Sequence, residues 1–166
     1  MLVEGWFGKL RLDYNLLKYL HVIGAITLLG TGTGIAFFMV MAHRTKDAAF
    51  VARTAAVVVT ADMIFTASAV IAQPITGYFL AEMTGADPWT GWLGLAILLY
   101  GVAGVFWLPV VWIQARMRDL ARHAAEAGQA LPRAYHRLYR IWFVFGLPGF
   151  GSVLAILWLM IARPSL

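Results

Sequence analysis

The sequence predicts an all-α integral membrane protein, a four-helix bundle with both termini on the outer side of the membrane, opposite the cytoplasm. Four apolar stretches, at about residues 15–42, 54–81, 89–114 and 138–162, support this prediction because each is long enough to cross a bilayer. Hydrophobic residues make up 61% of the chain and charged residues only 13%, which is too apolar for a soluble domain of 166 residues. These four spans take up most of the chain, so we predict a single domain over residues 1–166.

Each span is expected to be a helix, because the hydrocarbon core offers no water to bond the polar groups of the backbone. Segments of about 25 residues are also too long for the strands of a membrane barrel. The first stretch follows a polar and aromatic lead-in, and no cleavage site of a signal peptide comes after it. We therefore expect span 1 to be retained.

The basic residues predict the orientation of the bundle in a bacterial inner membrane. Nine of the thirteen Lys and Arg residues lie in or beside the loops after spans 1 and 3, whereas the loop after span 2 has Glu82 and Asp87 and no basic residue. The nine are Arg44, Lys46, Arg53, Arg116, Arg118, Arg122, Arg133, Arg137 and Arg140. The positive-inside rule places these two loops in the cytoplasm. We attribute the net charge of +5 to topology and anionic lipid, since no nucleic-acid-binding motif is present.

The third loop is the longest polar segment. Its sequence predicts a helical extension of span 3, a break near Gly128 and Pro132, and a basic start to span 4. Arg122 and Glu126 are one helical turn apart and are expected to pair. We favour an interfacial helix on anionic headgroups over a docking site for a soluble partner. Aromatic residues near the span ends are expected to act as interface anchors: Trp6, Trp89, Trp92, Tyr139 and Trp142.

His21 is the first polar residue within a span that needs an explanation. It lies about six residues into span 1, roughly 9 Å from the outer end. Ionisable groups at such depth usually face a cofactor, a bundle interior or a proton path. Haem or metal ligation is the leading functional interpretation, because neutral imidazole is the commonest ligand and the chain has no cysteine. The alternative is a neutral histidine bonded to a helix carbonyl or to Gln73, at similar depth in span 2.

His43 is the second candidate ligand, and it lies at the other end of the same helix. The 22 residues between the two histidines correspond to about 33 Å, so one haem cannot use both. His123 and His136 lie on the same side as His43, but in the polar loop, where we expect them to be solvated. A haem held by His21 alone would be five-coordinate or would take a weaker sixth ligand such as methionine.

Asp62 is the one carboxylate within a span. A lone ionised aspartate there would be costly, so we expect it to be protonated, open to a polar cavity, or paired with a long basic side chain such as Arg140. A structural tie between helices and a role in proton handling both remain open. Gly30 with Gly34, Gly101 with Gly104, and the segment at 146–151 predict close helix contacts, or alternatively room for a flat porphyrin or quinone.

Three segments carry a resemblance to a known family: "LKYLHVIGAITLLGTGTGIAFFMVMAH", "GWLGLAILLYGVAGVFWLPVVW" and "YRIWFVFGLPGFGSVLAILWLMIARP". They resemble a bacterial family of integral membrane proteins, domain-of-unknown-function family 2269. The "LKYLH" start of span 1, the histidine at its end and the "RP" ending of span 4 also resemble, more distantly, HemJ-type protoporphyrinogen oxidases and CopD-like copper-resistance proteins. The HemJ-type resemblance implies haem b on His21, and on His43 as a further candidate.

The sequence departs from the HemJ-type pattern at two positions. HemJ-type proteins have a lysine just after the "GW" of span 3, whereas Trp92 is followed here by Leu93. The basic residue of the second half of span 1 is replaced near Phe38. These differences count against porphyrinogen oxidation and leave a redox-linked haem protein, exchanging electrons with a quinone or a redox partner, as the leading hypothesis.

A second hypothesis comes from a different class of function. The chain would then be a non-catalytic structural or assembly subunit of a larger membrane complex, or a homo-oligomer, with its polar residues tying helices together. Copper handling is less favoured, because the methionines form no Met-x-x-Met cluster and cysteine is absent. The sequence leaves open whether the protein is an enzyme.

Overall fold

The computed structural model describes residues 13–165, which form four membrane spans. Helix α1, Tyr14–Thr45, is span 1. Helix α2, Ala48–Ala61, a π-helical turn at Asp62–Thr66, and helix α3, Ala67–Thr84, together form span 2. Helices α4, Gly91–Glu126, and α5, Arg133–Ala162, are spans 3 and 4.

The predicted all-α membrane bundle of four spans is confirmed, whereas the location of the termini stays a prediction. All four spans are long and apolar enough to cross a membrane, and residues 13–165 contain no β-strand. The predicted anchor Trp6 lies outside the described residues. We call the end of the bundle formed by residues 43–53 and 115–140 the basic end. The opposite end is formed by residues 84–91, the first turns of α1 and the last turns of α5.

The loop between α1 and α2 has only two residues, because both helices extend past the apolar stretches. Lys46 adopts a left-handed conformation with φ of 58°, which ends α1. The Asp47 side chain then accepts hydrogen bonds from the backbone N–H groups of Ala49 at 2.8 Å and Phe50 at 3.2 Å. Such an N-cap satisfies backbone donors that have no partner within the helix.

The third loop is as short as the predicted break requires. Helix α4 continues to Glu126, Gly128 follows with φ of 63°, and α5 starts directly after Pro132. The predicted Arg122 pair with Glu126 is present, with Nε 4.0 Å from Oε1. Nearby, the hydrogen bond and charge of Arg118 hold the pKa of the Asp119 carboxyl group below its usual range.

The prediction of an interfacial helix in this loop is wrong. Residues 115–126 continue α4 directly, and one face of this extension is buried inside the protein. Met117 and Ala121 are fully buried, and Ala124 is 7% exposed. The extension packs there because its apolar residues recur at helical spacing and form one face, and this face contacts the rest of the protein.

The main core lies in the half of the bundle nearest the basic end. Its buried side chains come from every span and from the third loop: Ile35, Met39, Ala42, Ala48, Val51, Ala55, Val58, Val110, Ile113, Met117, Ala121, Ala124, Leu131, Tyr135 and Trp142. Towards the opposite end the spans associate mainly in pairs, α1 with α3 and α4 with α5. His43 and Asp62 lie in this half of the bundle, whereas His21 lies towards the opposite end.

The predicted close contacts at the paired glycines do not form. A Cβ added at Gly30, Gly34, Gly101 or Gly104 would meet no atom of the described residues within 4 Å. In the 146–151 segment the prediction holds only at Gly149, where a Cβ would lie 3.5 Å from Cβ of Phe106. The glycine spacing was a poor guide because it does not say which face of a helix meets protein and which meets lipid.

Candidate functional site

His21 points from α1 towards α3, and its imidazole is bonded to a threonine. Nδ1 of His21 lies 2.8 Å from Oγ1 of Thr76. The Thr76 hydroxyl also lies 2.8 Å from the carbonyl oxygen of Ala72 and 3.2 Å from that of Gln73. Those carbonyls can accept the single hydrogen of the hydroxyl. In that arrangement Nδ1 of His21 is the hydrogen-bond donor to Thr76, and Nε2 has the lone pair.

Gln73 joins the same two helices at a neighbouring point. Its Nε2 donates a hydrogen bond of 2.7 Å to the backbone carbonyl of His21. Gly24, one turn further along α1, leaves the space that the amide occupies, since a Cβ there would collide with Nε2 of Gln73. The sequence predicted the depth of Gln73 correctly, but the predicted bond from Gln73 to the imidazole does not form. Thr76 bonds to the imidazole instead, and its spacing of one turn from Gln73 was the signal that could have identified it.

His43 lies at the basic end in a stack of aromatic rings. Its ring is parallel to that of Tyr139, with centroids 3.6 Å apart, and Tyr135 lies 5.7 Å away. His136 meets the ring edge-on at 5.6 Å, so it is packed rather than solvated as predicted. His123 has a side chain that is 69% exposed, in agreement with the prediction. Nδ1 of His43 and the hydroxyl of Tyr135 are buried with no hydrogen-bond partner among residues 13–165.

Asp62 is buried at the start of the π-helical turn, with 3% of its surface exposed. Trp107 Nε1 lies 3.4 Å from its Oδ1. In the orientation that satisfies its hydrogen bonds, the Gln114 amide nitrogen donates to Asp62 Oδ2 at 3.3 Å. The Gln114 amide oxygen then accepts a hydrogen bond of 3.0 Å from Nε1 of Trp142. Two neutral N–H donors therefore face the two carboxylate oxygens.

The predicted pairing of Asp62 with Arg140 does not form. Arg140 is exposed, and none of the ion pairs within residues 13–165 includes Asp62. The reason is the rotation of α5. Trp142 faces the interior at 4% exposure, and Arg140, two residues earlier, is turned about 200° away from it.

The sequence reasoning missed most of the residues around Asp62. Trp142 was expected to be an interface anchor, and Trp107 and Gln114 received no role. Trp107 and Gln114 are seven residues apart, a spacing that puts both on one face of α4. A glutamine within an apolar stretch was the signal that could have found them, because a buried amide needs hydrogen-bond partners.

A bare metal ion and a haem need different numbers of ligands from the protein. No group of three His, Cys, Asp or Glu side chains that could hold a metal ion occurs in the described part of the chain, residues 13–165. A bare metal ion therefore has no evident multidentate site there. A haem needs only one or two axial ligands from the protein, and Nε2 of His21 has the right chemistry for one of them.

The comparison with protein families bears on the whole spanning region. The family described as "Predicted integral membrane protein (DUF2269)" matches residues 15–164. The chain belongs to this family. The match covers all four spans together with His21, His43 and Asp62, which makes it a membrane protein by family as well as by fold. No curated protein and no solved structure matches the chain. The DUF2269 description assigns no cofactor, so the HemJ-type and CopD-like resemblances stay predictions.

Proposed function

We propose that this DUF2269 protein binds haem b through Nε2 of His21 and has a redox-linked role in the bacterial inner membrane. The observation that supports this proposal is the hydrogen bond between Nδ1 and the Thr76 hydroxyl. When that hydroxyl donates to the carbonyl of Ala72, Nδ1 is the donor to Thr76, and Nε2 is free to bind. Histidines that ligate metals in proteins usually donate their other N–H to an oxygen in this way.

The surroundings of the imidazole also suit a ligand. Gly77 of α3 lies against the ring, and a Cβ there would come within 3.4 Å of Cε1, the carbon next to Nε2. The absence of a side chain at Gly77 therefore leaves this edge of the ring uncrowded. No hydrogen bond to Nε2 is present among residues 13–165. The site thus combines an oriented imidazole with an unused lone pair.

His43 fits a haem ligand less well. The parallel ring of Tyr139, at 3.6 Å, covers one face of the imidazole, and Nδ1 is buried within protein. We therefore assign the haem to His21 and treat His43 as the alternative ligand. His21 would then be the one strong ligand that each chain supplies to the haem.

When bound, haem supplies one-electron transfer, and the residues of the chain hold it for that purpose. His21 would hold the haem, and the hydrogen bond of Thr76 would orient the imidazole and increase its basicity. Gln73 holds α1 against α3, which keeps His21 and Thr76 at bonding distance. A quinone or a redox protein would exchange electrons with this site.

The experiment is an absorption spectrum of the detergent-purified protein before and after dithionite, with a pyridine haemochrome assay. We expect a Soret band that shifts on reduction, at near one haem per chain. His21→Ala abolishes the band, and His123→Ala, at an exposed histidine of the basic end, retains it. Thr76→Val removes the acceptor at Nδ1 but keeps the shape, and it weakens haem binding by about 10- to 100-fold.

Two results contradict this assignment in different ways. A protein that remains colourless after expression with added haem precursor removes the haem proposal. Loss of the band in His43→Ala, with the band intact in His21→Ala, moves the ligand to the basic end of α1.

The alternative function is a non-catalytic structural or assembly subunit of a larger membrane complex. One observation favours it: the hydrogen bonds of Gln73 and Thr76 tie spans 1 and 2 together whether or not a cofactor is bound. This alternative predicts a colourless protein that co-purifies with other subunits after mild solubilisation, and unchanged co-purification of the His21→Ala variant.

A further inference from the structure

We propose that the Asp62 carboxyl group is a proton-binding site inside the membrane, surrounded by neutral hydrogen-bonding groups that can serve its ionised and its protonated form. This inference rests on the surroundings of Asp62 alone. It does not depend on haem at His21, which lies in a different part of the bundle.

The ionised form has its partners in the two indole and amide donors. Trp107 Nε1 faces Oδ1 at 3.4 Å, and the Gln114 amide faces Oδ2 at 3.3 Å. Trp142 donates to the Gln114 oxygen, which polarises the amide and strengthens its donation to Asp62. These groups stabilise a negative charge, but all of them are neutral, so they do not cancel it.

The Thr66 hydroxyl can serve both forms of the carboxyl group. This threonine ends the π-helical turn that Asp62 begins, and its hydroxyl lies next to the carboxyl group. Thr66 is 6% exposed, and its hydroxyl is bonded to no backbone carbonyl among residues 13–165. The hydroxyl can therefore donate its hydrogen to the ionised carboxylate, and its oxygen can accept a hydrogen bond from the carboxylic acid. Single π-helical turns within α-helices are frequent at functional sites.

No charged side chain in the described part of the chain pairs with Asp62. The inward titratable side chains on the helices around the π turn are Tyr100 of α4, His43 of α1, and Tyr135 and Tyr139 of α5. Tyr100 donates to the carbonyl oxygen of Val70, and the other three form the aromatic stack at the basic end. Asp62 takes part in no ion pair within residues 13–165.

The step itself is a simple protonation. A carboxylate oxygen of Asp62 takes one proton from water and becomes a carboxylic acid, and no other bond breaks. Asp62 lies about eight residues inside the apolar stretch, or roughly 12 Å from its basic end. An uncompensated carboxylate at this depth is costly, so uptake of a proton relieves that cost.

The test is infrared difference spectroscopy of the full chain in lipid nanodiscs over about pH 4 to 9. We expect a carbonyl band of a protonated carboxyl group that grows as the pH falls and is present in the wild type but not in Asp62→Asn, which copies the shape of the protonated form. The bands of the exposed carboxyl groups occur in both proteins and cancel in the difference between them. Asp119→Asn is the matched control, because Asp119 pairs with Arg118 outside the apolar stretch, and it leaves the band in place.

Two further variants test the partners. Trp107→Phe removes one donor to the ionised form, and Thr66→Val removes another. In each variant the midpoint of the band is expected to move to higher pH. Each shift is expected to be up to about one pH unit, the equivalent of one hydrogen bond.

The proposal is overturned by either of two results. The first is the absence of a titrating carbonyl band from the difference between the wild type and Asp62→Asn. The second is a shift of the midpoint to lower pH in Thr66→Val or in Trp107→Phe. Circular dichroism of every variant establishes that it is folded. If Asp62→Asn does not fold, the shifts of the other two variants still decide the outcome.

Discussion

Two threonines of span 2 contact the two ionisable side chains beside them in different ways. The hydroxyl of Thr76 bonds a carbonyl of its own helix, and its oxygen can then accept a hydrogen bond from Nδ1 of His21. Thr66 bonds no carbonyl of its helix, so both its hydroxyl hydrogen and its oxygen are available to Asp62. Residue type is identical in the two cases, and the partners decide the chemistry.

Gly24 provides a test of the contact that holds His21 in place. A Gly24→Ala variant puts a Cβ where the Gln73 amide lies, so the amide has to leave the His21 carbonyl. We expect a loss of about 1 kcal/mol in the free energy of unfolding, the usual contribution of one hydrogen bond. The measurement is thermal unfolding in detergent, followed by circular dichroism.

Gly30→Ala is the matched control on the same helix. A Cβ at Gly30 meets no atom of the described residues within 4 Å, so this variant is expected to unfold like the wild type. Equal destabilisation by both substitutions would mean that the helix responds to the loss of any glycine. The specific contact between Gly24 and Gln73 would then be the wrong explanation.

At the scale of elements, the π-helical turn is the feature that sets the register of span 2. It accommodates one extra residue within an otherwise continuous helix, and it keeps residues on both sides facing the bundle. Asp62 and Thr66 face inward at its two ends, whereas Met63, Ile64 and Phe65 are exposed between them. Gln73 and Thr76 of α3 depend on this register to reach α1.

Deletion of one exposed isoleucine tests the register. Removal of Ile64, 57% exposed, converts the π turn to ordinary α-helix and leaves Gln73 and Thr76 facing α1. Ile71, 64% exposed, lies beyond the turn, so its removal rotates the rest of α3 by about 100°. We expect the Ile71 deletion to lose both hydrogen bonds to His21, at a cost of about 2 kcal/mol in unfolding free energy.

The comparison is between the two deletions, which remove the same residue type from the same span. Denaturant or thermal unfolding in detergent gives the free energies, and the Ile64 deletion is expected to be the more stable of the two. The reverse order would contradict the role of the π turn as an accommodated insertion.

The elements were predictable from hydropathy, whereas the partners of the polar residues were not. Four apolar stretches of sufficient length can only be helices in a bilayer, so the span number followed directly. His21 and Asp62 were found because ionisable groups stand out in apolar sequence. Trp107 and Thr76 come from other spans, and their contacts depend on helix rotation and on a π turn that no glycine or proline marks.

At the scale of the whole molecule, the main core extends past the apolar stretches at the basic end. The hydrophobic effect does not drive helices together within lipid, because lipid tails are as apolar as the side chains. The extension of α4 and the start of α5 reach beyond the apolar stretches, and there burial of Met117, Leu131 and Tyr135 removes apolar surface from water. This explains why the basic end is well packed and the spans associate in pairs towards the opposite end.

The orientation of the bundle is the last prediction, and the lack of cysteine makes it directly testable. Glu82→Cys and Gln129→Cys place single thiols at exposed positions of opposite ends. From the distribution of basic residues, we expect a membrane-impermeant maleimide to label Glu82→Cys in intact spheroplasts, and to label Gln129→Cys only after permeabilisation. That result puts His21 near the outer face and Asp62 closer to cytoplasmic water, so electrons would be exchanged outside and protons inside. Labelling in the reverse order would contradict the prediction and exchange the two sides for both proposed sites.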